Sequence, residues 1–94
     1  MMANNLHISY DLMAPGQNYD AVIEKIKELG NWAKVEYSFW YVNSGFTASQ
    51  ARDYLVPSLD QGDKLYIVDA TNNNAAWHGL SNEVGDFVKD KWSK

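Results

Sequence analysis

The chain contains no cysteine in its 94 residues. That absence excludes a disulfide framework and a thiolate zinc site. Arginine occurs once, at Arg52, and eight Lys and Arg face twelve Asp and Glu for a net charge of −4. Strong duplex-binding proteins usually carry a basic face, so this balance counts against that class. No apolar run approaches the roughly 20 residues that a membrane-spanning helix requires. The opening "MMANNLH" has neither a basic region nor an apolar core, so it does not read as a secretory leader. The expectation is a cytoplasmic protein with no membrane partner. Neither His7 nor His78 has a ligand partner at helical spacing, and there is no Gly-rich phosphate loop or nucleophile elbow.

What is present is globular in character: 46% hydrophobic residues, 14% of all residues aromatic, and enough length for one small core. A single domain over residues 1–94 is expected. In "LHISYDL", Leu6, Ile8 and Tyr10 alternate with His7, Ser9 and Asp11, the period-2 pattern of a half-buried strand. "MAPGQN" stops that strand and leaves Asp11 at its carboxyl end, facing away from the apolar side. "NYDAVIEKIKELG" places Tyr19, Val22, Ile23, Ile26 and Leu29 at helical spacing, with Asn18 as N-cap and Gly30 as a left-handed terminator.

"AKVEYSFWYVN" is strand chemistry rich in aromatics. It is long enough to be two strands with a tight bend at Ser38 and Phe39. Its alternation puts Val35, Tyr37, Phe39 and Tyr41 on one face and Lys34, Glu36, Ser38 and Trp40 on the other. The second face is expected to lack helices and to need cover from a partner or from the terminal helix. Thr47 followed by Gln50 reads as a capping box for a helix with Ala51, Tyr54, Leu55 and Leu59 inward. Pro57 bends or ends that helix. "KLYIVDA" is apolar enough for a central strand. Ser81 caps a last helix over residues 81–92 whose Val84, Phe87, Val88 and Trp92 form one stripe; Gly85 costs it about 1 kcal/mol relative to alanine, so it depends on docking. Trp77 and Trp92 are expected to fasten this tail to the domain.

The order strand, helix, strand, strand, helix, strand predicts an α+β, ferredoxin-like βαββαβ antiparallel sheet. Two helices cover one face, and a C-terminal helix is added. Right-handed crossovers place the first and last strands together at the sheet centre. Asp11, Ser38, Asp60 and Asp63 then gather at one rim.

The "ISYDL" strand end, the helix closing on glycine, "VEYSFWYVNSGFTASQ" and the acidic turn before "LYIV" resemble the CRISPR-associated small endonuclease of the spacer-acquisition complex. The resemblance covers about residues 5–70 and extends to small proteins labelled SinR-like. It implies a ferredoxin-like homodimer in which the Asp11 carboxylates of the two subunits face each other and share Mg2+ or Mn2+. That cation activates water for phosphodiester cleavage of nucleic acid. Ser38, with Phe39 beside it, matches the family's serine and shapes the site, so Asp11 and Ser38 are the catalytic candidates and Asp11 the metal ligand. The chain departs from the family pattern at Glu36, where a basic residue is common, and in lacking the family's swapped final strand.

Read without the resemblance, Asp11 is a rim aspartate bonding the backbone of the following turn. Asp60 and Asp63 are turn residues, His7 is a surface strand residue, and Trp40 is a packing contact rather than a base-stacking one. The corresponding function is a non-catalytic homodimeric module that binds a protein or a small nucleotide.

Overall fold

The structure, a computed structural model, describes residues 3–12, 19–60 and 62–92. The expected turn at Met13–Gln17 and the Asn18 cap lie outside the described residues. The elements run β1 (Asn4–Asp11), α1 (Tyr19–Lys27), β2 (Gly30–Glu36), β3 (Phe39–Ser44), α2 (Ala48–Leu55), a 3-10 turn (Val56–Ser58), β4 (Lys64–Asp69) and α3 (Asn82–Trp92). The four strands form one antiparallel sheet in the order β2-β3-β1-β4. The class is α+β, with three α-helices among the described residues.

β1 does pair with the last strand, Ile8 opposite Ile67 and Asp11 opposite Lys64. The expectation that β4 lies at the centre is overturned, because among the described residues β4 has β1 as its one neighbouring strand and forms an edge. Its apolar composition has a different origin. Leu65 and Ile67 point to the helices and pack against the core, while Tyr66 and Val68 point the other way and are exposed.

Register assigns the two faces of the sheet. Leu6 pairs with Val42 and Ile8 with Trp40, and these four residues pack with Val22 and Ile26 of α1 and with Ala51 and Leu55 of α2. Trp40 is therefore core, 2% exposed, with its Nε1 donating to the Tyr10 hydroxyl at 3.2 Å. This reverses the expectation that Trp40 stands on the face without α1 and α2. β3 is buried on both sides, so "FWYV" carries no hydrophobic alternation from which a face could be told. Lys34, opposite Trp40, lies at the edge of the core face, its ammonium 5.9 Å from the Trp40 ring centroid and 5.0 Å from that of Tyr37.

The other face carries α3. Phe87 and Trp92 meet Tyr41, with the Trp92 ring stacked at 5.7 Å between centroids. Buried amides fix the end of this helix. Asn5 Nδ2 donates to the Trp92 carbonyl at 2.9 Å and Asn43 Nδ2 to the Lys91 carbonyl at 3.3 Å, satisfying two carbonyls that a helix end leaves open. Asn5 Oδ1 in turn accepts from the Tyr41 hydroxyl at 2.7 Å. Trp92 Nε1 donates to the Asn73 carbonyl at 2.7 Å, so the tail is fastened as expected.

Local signals hold where they rest on capping chemistry. The Thr47–Gln50 capping box forms in both directions, Ser81 Oγ accepts from the Val84 N–H, and α2 gives way at Val56–Ser58, where Pro57 sits. Gly30 does not. Its φ is not positive; it opens β2, and a Cβ there would lie 2.2 Å from the Asn43 carbonyl oxygen. Close approach of two strands, rather than a left-handed cap, explains the glycine. Gly85 likewise makes room, since a Cβ there would lie 3.0 Å from Trp77 Nε1.

Candidate functional site: the rim at the end of β1

β1 is held from both sides, so its carboxyl end is a fixed platform. Tyr10 donates its N–H to the Ser38 carbonyl at 3.2 Å, which ties the β2–β3 turn to the residue before Asp11. On the other side Asp11 is the register partner of Lys64. Asp11 is exposed and lies on the sheet face opposite α1 and α2, because Tyr10 beside it points into the core. Ser9, Tyr10, Asp11, Lys64, Leu65 and Tyr66 line a groove of about 390 Å³ here.

Of the four residues expected to gather at the rim, Ser38 is tied to Tyr10 through its carbonyl and Asp63 directly precedes Lys64, the register partner of Asp11. Asp60 and Asp63 belong to the turn entering β4. Asp60 donates its N–H to Asp63 Oδ2 at 2.7 Å, and the Asp63 N–H donates to the Asp60 carbonyl at 3.1 Å. The Asp63 carboxylate thus stabilises its own turn. Among the described residues no group of three or more His, Asp or Glu is placed to hold a metal ion. Among the residues that line the groove the one carboxylate is that of Asp11, and Ser9 adds a hydroxyl. These are hard oxygen donors of the type that Mg2+ and Mn2+ accept. Magnesium in particular is held by one or two carboxylates together with waters and substrate phosphate.

Lys64 is the rim residue that sequence reasoning missed. Only the register places its ammonium stem opposite Asp11, and no spacing signal in the chain links positions 11 and 64. Ion pairs among the described residues join Glu24 with Lys27, Asp53 with Arg52 and Asp90 with Lys91; Asp11 and Lys64 belong to none of them. Both charges are left facing the groove.

His7 is more than a surface strand residue. It is half-buried in the sheet centre, with ring centroids of Phe39 and Trp92 each 5.5 Å away and that of Tyr41 at 6.3 Å. Burial lowers its pKa below the ordinary imidazole value, because a cation there loses water without gaining a carboxylate. Burial raises the Tyr41 pKa, opposed by its hydrogen bond with Asn43. This cluster lies under α3, so it is a packing arrangement and not an open site.

No helix among the described residues is long and apolar enough to cross a membrane. Comparison with protein-family models, with curated proteins and with solved structures gives no match for this chain.

Proposed function

We propose that this chain is a ferredoxin-like homodimer that cleaves phosphodiester bonds of nucleic acid in a Mg2+- or Mn2+-dependent reaction, with Asp11 as the metal-holding carboxylate. The observation that carries this reading is the placement of Asp11. It is an exposed carboxylate at the end of an internal strand, fixed by neighbours on both sides and opening on a groove. The βαββαβ succession of the first six elements supports the ferredoxin-like assignment, and the likeness of "ISYDL" and "VEYSFW" to the CRISPR-associated small endonucleases supports the chemistry.

Asp11 would hold the cation, with the Ser9 hydroxyl and water completing its oxygen shell. When bound, such a cation lowers the pKa of a coordinated water and offsets charge developing on the phosphate. Lys64 supplies a mobile positive charge across the groove for a non-bridging phosphate oxygen. Ser38 lies in the turn bonded to Tyr10 and positions substrate from the β3 side. The Asp11 backbone is held in the sheet, which fixes where its carboxylate would hold the cation.

A second reading, a non-catalytic homodimeric module for a protein or small nucleotide, is favoured by one observation. Asp63, another acid of the rim, is bonded through its carboxylate within its own turn.

Incubation with Mn2+ or Mg2+ and labelled single-stranded RNA or duplex DNA distinguishes the two. Metal-dependent cleavage that falls at least a hundredfold in Asp11→Asn, and about tenfold in Ser38→Ala, with both variants folded, is the expected outcome; one catalytic group contributes on the order of 10²–10⁴. Cleavage indifferent to Asp11→Asn comes from another site or a contaminant and overturns the role given to Asp11; no cleavage of either substrate transfers the assignment to the binding module.

A further inference from the structure

β4 is an edge strand with the composition of an internal one. The opposite edge, β2, is blunted in the ways natural sheets use. It carries Asn31, Lys34 and Glu36, and a register irregularity falls between Lys34 and Glu36. β4 has no such bulge in its pairing with β1. It reads Lys64-Leu65-Tyr66-Ile67-Val68-Asp69, with Tyr66 71% and Val68 38% exposed on the face opposite α1 and α2.

The backbone tells which groups are open. Tyr10 bonds Ser38 of the β2–β3 turn through its N–H, and Ala70 donates to the Asn5 carbonyl at 2.7 Å. Alternation along an antiparallel ladder then turns the even residues of β1 to β3 and the odd ones to β4. Through the register, Lys64, Tyr66 and Val68 direct their N–H and C=O groups at β1. Leu65, Ile67 and Asp69 direct theirs outward, where nothing among the described residues pairs with them.

We propose that a second copy of this chain adds its own β4 to this edge, antiparallel about a two-fold axis at Ile67. That register pairs Ile67 with Ile67 of the second copy and Leu65 with Asp69 at either end. All three outward-facing residues of each strand are used, and a shift of one position loses one of them. The same register sets Tyr66 directly opposite Val68 of the other copy, twice, covering the two exposed apolar side chains of the strand. It also lays the Lys64 end of each strand against the Asp69 end of the other, where a parallel alignment would bring like charges together. Grooves on both sides of β4, about 220 Å³ beside α2 and about 390 Å³ beside Asp11, leave room for the incoming side chains. The interface is isologous, and the sheet becomes eight strands wide.

This inference rests on the dimer part of the function proposed above and not on cleavage. It changes the geometry that the resemblance implies. With about 3.3 Å per residue along a strand and about 4.8 Å between strands, two Asp11 side chains three residues from the axis and one strand further out are separated by about 25 Å. They are two sites and cannot share one cation.

Sedimentation equilibrium at about 100 μM, in the range where a dimer with micromolar Kd is nearly complete, tests it with Tyr66→Lys, Val68→Glu and the double variant. The expected result is a wild-type dimer and at least a tenfold weaker Kd in each single variant. Affinity returns in the double variant, where the introduced ammonium of one copy faces the introduced carboxylate of the other on both sides of the axis. Wild-type hydrogen exchange supplies a readout without mutation. Amides of Leu65, Ile67 and Asp69 gain protection with concentration, whereas those of Tyr66 and Val68 are protected throughout. A monomeric wild type overturns both this edge and the dimer itself. A dimer indifferent to the single variants, with no concentration-dependent protection, overturns the edge and leaves a dimer formed elsewhere. Single variants that weaken a dimer the double variant does not restore overturn the register.

Discussion

Asp11 was legible in the sequence because strand alternation and a following Pro-Gly turn locate a strand end without reference to the rest of the fold. Its partner was not. Lys64 stands 53 positions along the chain by subtraction of the two residue numbers, and only sheet register joins them. His7 shows the same limit. Period-2 alternation put it on the polar side of β1, which is correct, but that side is the one α3 covers, so His7 is half-buried among Phe39, Tyr41 and Trp92. Its lowered pKa has a consequence for stability. The unfolded chain takes up the proton first as pH falls, so the contribution is complete above about pH 6.5 and declines as pH drops through that value toward the folded pKa. Denaturant titrations at pH 7 and pH 5 are expected to show a loss of stability on acidification that is smaller in His7→Gln. An equal loss in the two proteins would assign the pH dependence to other groups.

At the scale of elements, helices were read more securely than strands. Capping is local chemistry, so Thr47 with Gln50 and Ser81 with the Val84 amide could be placed from the sequence alone. Strand position is a property of neighbours. β3, covered by α1 and α2 on one face and α3 on the other, is apolar on both, so its alternation did not tell which face is the core, and Trp40 was assigned to the wrong one. β4 looked central because both its faces are apolar, although one of its edges is open. The polar signal that marks the α3 docking site was present and unread: Asn5 and Asn43 lie inside apolar strands and bind the last carbonyls of α3. Asn5→Ala leaves the buried Tyr41 hydroxyl without its acceptor and frees the Trp92 carbonyl. A loss of about 1–3 kcal/mol is expected in chemical denaturation, the cost of an unsatisfied buried polar group. Unchanged stability would mean that the amide network does not hold the helix.

At the scale of the whole molecule, fold, assembly and chemistry meet at β4. One of its sides pairs with β1 and lines the Asp11 groove; on the other, Leu65, Ile67 and Asp69 have no backbone partner among the described residues, and the proposed assembly gives them to a second copy. The assembly proposed here gives each chain a complete groove of its own, with Asp11, Ser9 and Lys64 from one chain, so the number of cations bound reports chemistry and arrangement together. The most direct measurement is a Mn2+ titration of the wild-type protein with a non-cleavable oligonucleotide, following free Mn2+ by electron paramagnetic resonance. The predicted result is one Mn2+ per chain, lost in Asp11→Asn while the fold and the dimer persist. One Mn2+ per two chains would contradict the separated sites, and no binding, or binding that survives Asp11→Asn, would contradict the account of the rim as a metal-dependent site.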